Sequence, residues 1–192
     1  PTEESMSDAT SVIYGSVANA EGQEGQTIVY DAEFNDSLDE IAKSMHLKPH
    51  VIDGNEFKVS CTSSGLVGTD KRKYLVNLNN LAPSDINFIA EHFDQVTDSA
   101  KKYPHNHAKL RHELVDSWWS LKTEGADIEK AFEEYQYSFN TDDEEDPASK
   151  ELSDFLNEKV IPTFLKEILD DAAQLPFDGD HLIESLHKSG IN

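Results

Sequence analysis

The spacing of apolar residues along this chain changes near Pro83 from nearly two to nearly four, and that change sets the architecture it can adopt. Upstream, apolar residues come in short β-branched or aromatic runs. Ser11–Val17 and Thr27–Tyr30 read as strands. Val51–Phe57 carries Asp53-Gly54 between two such runs, and that dipeptide favours a tight hairpin because Gly accepts positive φ. A second hairpin is expected from Gly65 to Leu78, with Thr69–Arg72 at its turn. One helix interrupts this half. Leu38, Ile41, Ala42 and Met45 recur at helical spacing over 36–46, with Asn35 or Asp36 as its cap.

Downstream of Pro83 the period is close to four. Ile86, Ile89, Phe93 and Val96 suggest a short helix or irregular turn. Leu110, Leu114, Trp118 and Leu121 share one face of a helix over 106–122. Gly125 breaks the chain, Asp127 is placed as a cap, and Ile128, Ala131, Phe132, Tyr135 and Phe139 mark the next helix. Leu152, Phe155, Leu156 and Val160 mark another. Pro162 is expected to end it and to open a further one carrying Phe164, Leu165, Ile168, Leu169 and Ala172. Asp178 or Asp180 starts a last helix with Leu182, Ile183 and Leu186, which Gly190 stops. No internal repeat is visible.

Segregated elements predict an α+β fold rather than βαβ units. Amino-terminal antiparallel hairpins form a small sheet packed with helices, and an all-helical part follows. The expected divisions are a polar tail at 1–10, an α+β domain at 11–139, a linker at 140–149 and a helical region at 150–192. The linker contains five consecutive acids, Asp142–Asp146, which repel one another and bury nothing.

Charge narrows the function classes. Sixteen Lys and Arg against 38 Asp and Glu give a formal net charge of −22. Such a surface repels phosphate backbones, so any nucleic-acid contact has to use a local basic island, while basic protein partners suit the rest. The longest apolar runs are too short to cross a membrane, and a basic-then-apolar amino-terminal leader is absent. A single cysteine, Cys61, excludes an internal disulfide, which fits a reducing compartment. The ends, Pro1 and Gly190-Ile-Asn192, suggest an excised fragment of a longer protein.

Two basic islands stand against the acidic background. Lys71, Arg72 and Lys73 occupy a hairpin tip. Lys101, Lys102, Lys109 and Arg111 form the second, with Tyr103 beside them to stack a base. If the islands converge they make an RNA-binding strip; the competing reading pairs them with carboxylates such as Asp70 and Glu113. Other candidates are weaker. Gly22–Thr27 resembles a phosphate loop but lacks its Lys and precedes a strand. His105, His107 and His112 offer imidazoles to a metal, but on a helix His107 is rotated about 200° from His105. Cys61 reads as a small core residue, and Trp118 as core with Trp119 at its margin. No nucleophile elbow or zinc-protease motif is present.

Several segments, taken in order, resemble the clustered mitochondria protein family, its fungal members included. They are Val12–Val17, Gly25–Ile28, Leu47–His50, Gly65–Asp70 with Arg72 and Tyr74, Pro83–Asp85 with Asn87-Phe88, Lys109–Asp116, Ile161-Pro162, and Pro176 through Gly190 to Asn192. The resemblance implies the carboxy-terminal part of a Clu domain and the start of a central helical region, without the family's ubiquitin-like region or tetratricopeptide repeats. It implies a cytoplasmic, non-catalytic protein needed for normal mitochondrial distribution. It also implies association with mRNA, with the ribosome or translation initiation factors, and with other regions of the same full-length protein, and no cofactor or metal. The family hairpin reads Gly-x-Asp-Gly-Arg-x-Tyr-x-Leu-Asp-Leu with an Arg three residues after the second Asp. Here Lys71 stands for that inner Gly, Asn77 for the second Asp and Asn80 for the Arg. Two rival readings are a protein-binding scaffold using the acidic surface and a degenerate enzyme-like domain centred on Gly65–Asn80.

Overall fold

The computed structural model describes residues 12–17, 27–102, 108–127, 130–131, 134–137, 147–170 and 178–192. They fall into two compact units, divided between Leu81 and Ala82. The expected tail at 1–10, the loop at 19–25 and the acids at 142–146 lie outside the described residues.

The first unit is a four-stranded antiparallel sheet, a two-stranded hairpin and two short helices. Its strands are β1 (Val12–Val17), β2 (Thr27–Val29), β3 (His50–Ile52), β4 (Asn55–Phe57), β5 (Ser64–Val67) and β6 (Lys73–Val76). The order β2-β1-β5-β6 leaves β2 and β6 at the edges, while β3 and β4 pair separately. Both expected hairpins are present. Asp53 (φ 50°) and Gly54 (φ 81°) turn the first, with Ile52 opposite Asn55. The second runs in register from Ser64 opposite Val76 to Val67 opposite Lys73.

The helix expected at 36–46 is shifted and split: α1 spans Ala32–Ser37 and α2 spans Asp39–Ser44. Its cap is Asp31, whose carboxylate accepts from the Phe34 amide at 2.6 Å, and neither Asn35 nor Asp36 caps it. Asn35 turns inward instead and is buried. Phe34 packs over Gly65 on β5, so closely that a Cβ there would lie 2.4 Å from its ring. Tyr14, Phe34, Tyr30 and Phe57 make the aromatic centre, with Tyr14 and Phe57 centroids 5.0 Å apart. Leu47, Val59 and Leu66 complete this core.

The second unit is helical among its described residues. Here α3 (Ile86–Ile89) runs into a π turn over Ala90–Asp94 and α4 spans His112–Lys122. The α5 helix (Pro147–Phe155), a π turn (Leu156–Val160) and α6 (Ile161–Asp170) follow one another, and α7 spans Gly179–Lys188. Three expectations need correction. The helix expected over 106–122 starts at His112, because the backbone before it pairs in extended form. Leu110 N–H donates to Pro83 O at 2.8 Å, and Asp85 N–H to Ala108 O at 3.0 Å. Leu121, placed on the buried stripe, is 49% exposed, whereas Leu110, Leu114 and Trp118 are buried. Pro162 stands in the first turn of α6, as expected, but no break precedes it: the π turn over Leu156–Val160 joins α5 directly to α6.

The helix expected across Ile128–Phe139 shows helical bonds from Ala131 to Asp127 and from Tyr135 to Ala131, and is over before Tyr137. Ile128, Phe132 and Phe139 lie outside the described residues. The last helix forms as expected, Asp178 capping it by accepting from His181 N–H at 2.8 Å. The whole is α+β. Among the described residues no helix is long and apolar enough to cross a membrane.

Candidate nucleic-acid interface

The β5–β6 turn is organised by Asp70. Its carboxylate accepts from Tyr74 Oη at 2.7 Å and from the Arg72 amide at 3.1 Å. These bonds, Tyr74's foremost, hold the Asp70 carboxyl below the usual carboxylate range, and they push the Tyr74 phenol up. The Arg72 guanidinium lies 3.7 Å from the same carboxylate and is 80% exposed. Lys71 takes a left-handed backbone (φ 64°), is exposed, and makes no ion pair among the described residues. Lys73, at the start of β6, is held between Asp31 (3.6 Å), the cap of α1, and Glu33 (3.2 Å) in its first turn. One of the three cations is therefore tied back to the helix and two project from the turn.

The second island belongs to the second unit and is less uniform than its sequence. Lys101 is exposed and 3.7 Å from Asp98. Lys102 Nζ stands 3.9 Å above the centroid of Phe93, a cation–π contact. Lys109 is part of the fold. It donates to Ser84 Oγ at 3.1 Å, and burial pushes its ammonium below the usual lysine range. Arg111 is engaged at both ends of its fork by Glu113, at 3.0 and 3.2 Å, which holds that carboxyl low. Tyr103 lies outside the described residues. The tip therefore presents Lys71 and Arg72, and the second island Lys101 and Lys102. Asp31 and Glu33, which hold Lys73, went unnoticed in the sequence because Glu33 is 40 residues away from it.

The remaining candidates are placed as follows. Gly22 to Gln26, His105 and His107 lie outside the described residues. His112 faces Asp116 at 3.4 Å, and among the described residues no three His, Cys, Asp or Glu side chains gather as a metal site. Trp118 is buried in the second core, edge-on to Tyr135 at 6.1 Å, with Trp119 half-buried beside it. Cys61 is half-buried, and its carbonyl accepts from Ser16 N–H at 2.7 Å. On the Gly65–Asn80 hairpin, Asp70 is committed to the turn, and Asn77 (φ 62°) offers its carbonyl to Ser63 Oγ at 3.3 Å.

A family model described as "Clustered mitochondria" matches residues 1–88, which include the whole β5–β6 hairpin. A clustered mitochondria protein homolog of Eremothecium gossypii is 45% identical over 172 residues, covering 86% of this chain. The chain belongs to the clustered mitochondria family. A homolog from Candida glabrata is 42% identical over 86% of the chain, and one from Vanderwaltozyma polyspora 37% identical over 95%. Each match takes up 14% of the relative, so this clustered mitochondria chain spans about one seventh of their length. No solved structure matches it.

Proposed function

We propose that this segment is a non-catalytic, cytoplasmic part of a clustered mitochondria protein. It associates with mRNA or the translation machinery and supports normal mitochondrial distribution. The observation that carries the reading is the β5–β6 tip. On a chain of net charge −22 it holds Lys71 and Arg72 out into solvent, on a turn stiffened by Asp70 and Tyr74. Two cations on a preordered loop can displace counterions from a phosphate backbone where the surrounding acids cannot. The relatives' name, clustered mitochondria protein homolog, supports the organellar part of the reading.

The test is RNA affinity against salt for the wild-type chain and for Lys71→Ala with Arg72→Ala. The expected result is a log–log slope shallower by roughly 1.4 for a single strand, about 0.7 for each cation removed. An unchanged slope removes the hairpin tip from the interface. A protein-binding scaffold is the second reading, favoured by the pairing of Lys73 and Arg111 with neighbouring carboxylates, which neutralises part of each island locally. Retained binding of basic ribosomal proteins together with a flat RNA salt slope would select it.

A further inference from the structure

Helix α6 carries an apolar stripe that the described residues cover only in part: Ile161, Phe164 and Ile168 are half-buried, and Leu165 and Leu169 are exposed. Ile161, Phe164, Leu165, Ile168 and Leu169 fall within an arc of about 140° on a helical projection. Thr163, Lys166, Glu167 and Asp170 take the opposite arc. No residue of α6 is buried; Leu165 is 52% exposed and Leu169 82%. The contrast with the preceding helix is sharp, because Leu152 and Leu156 are 0% and 7% exposed. Full burial ends at Leu156, and no residue of α6 regains it. Single exposed leucines are ordinary on a protein surface, but an amphipathic stripe of this width is the signature of a face that packs. The last helix repeats the pattern, with Leu182 38% and Ile183 50% exposed.

We propose that the α6 stripe is the docking face for an apolar segment of the same polypeptide lying outside these 192 residues. Two observations choose that occupant. The matched stretch is 14% of each relative's length, so most of a full-length clustered mitochondria chain is available to cover it. The face is also small. Ten residues of helix are about 15 Å long and about 10 Å across, a face on the order of 150 Å², far short of the ~800 Å² per partner that a stable contact between separate molecules needs. A tethered segment works with less area, since covalent linkage supplies an effective concentration on the order of millimolar. The face is apolar, so its occupation stands apart from any RNA contact at the hairpin tip.

Backbone hydrogen exchange decides it. Amides of residues 161–170 are followed in the full-length protein and in the 192-residue chain. The expected result is exchange at least ~10-fold slower in the full-length protein. Leu165→Lys with Leu169→Lys in the full-length protein returns the rates to those of the shorter chain. Both side chains are exposed, so the same pair leaves the unfolding midpoint of the shorter chain unchanged. Equal exchange in the two wild-type proteins overturns the proposal. So does protection in the 192-residue chain that rises with its concentration alongside a dimer mass, because the occupant is then a second copy.

Discussion

The hydroxyl of Tyr14 donates to Oδ1 of Asn35 across 3.2 Å, and both side chains are removed from solvent. The same oxygen accepts the Lys58 amide at 3.0 Å, so one side-chain atom ties β1, α1 and the segment after β4 together. Burial pushes the Tyr14 phenol far above its ordinary value, and the hydroxyl stays a neutral donor. Asn35→Ala takes the acceptor from the part-buried Lys58 amide and leaves the Tyr14 hydroxyl only the Val59 carbonyl, 3.4 Å away, and is expected to lower the unfolding free energy by about 1–3 kcal/mol. Tyr14→Phe removes one donor and is expected to cost about 0.5–1.5 kcal/mol. Urea denaturation of both single variants and the double variant measures this. Strictly additive losses would mean that the two side chains do not act as one unit.

Two glycines with similar backbones separate conformation from contact. Gly54 has φ 81° with nothing within 4 Å of where a Cβ would stand, whereas Gly15 has φ 89° and a Cβ on it would lie 2.0 Å from the Ser63 carbonyl oxygen. Gly54→Ala is expected to cost about 1 kcal/mol, the left-handed penalty alone. Gly15→Ala adds a backbone collision with the Ser63 and Cys61 carbonyls just before β5, and is expected to cost at least ~3 kcal/mol. Comparable losses in thermal unfolding would show that the sheet yields at Gly15.

What the sequence made legible was local chemistry. Asp53-Gly54 specifies its turn by backbone sterics, and Asp178 caps the helix that begins immediately after it. What it hid was chemistry completed at a distance. Asn35 has the right composition for a cap, but its partners are 21 and 23 residues away, and they draw it into the core. Lys109 read as a phosphate contact, but Ser84, 25 residues away, takes its ammonium, whereas the Arg111–Glu113 pair, two residues apart, was already legible as the competing reading. Pro162 was placed correctly in the first turn of α6, but the π turn that joins α5 to it left no signal in the apolar spacing.

His50 makes the first unit sensitive to mild acid. Its ring stacks on Phe57 at 5.9 Å, and Nε2 is buried with no partner among the described residues. Burial pulls its pKa below the ordinary 6.5, outweighing a hydrogen bond with the Lys48 backbone. The unfolded chain then binds the proton more readily than the folded one, so stability is complete above about pH 6.5 and declines as pH falls through and below that value. His50→Phe keeps an aromatic ring and removes the titration. Between pH 7 and 5.5 the wild type should lose more stability than the variant, and parallel curves would sink the assignment.

Lys71 joins the strain at the hairpin tip to its charge. It holds φ 64° where the family pattern has glycine, in a turn closed by Gly68 N–H to Arg72 O at 2.8 Å and Lys71 N–H to Gly68 O at 2.9 Å. A lysine there carries a left-handed penalty of about 1 kcal/mol that glycine avoids. Lys71→Gly is therefore expected to raise stability by about that amount, less the extra entropy glycine gives the unfolded chain, while removing one exposed cation. The RNA salt slope should fall by roughly 0.7 in the same variant. A gain in stability with no change in slope would mean that the cation has no phosphate partner. A loss of stability would mean that the Lys71 side chain itself holds the turn.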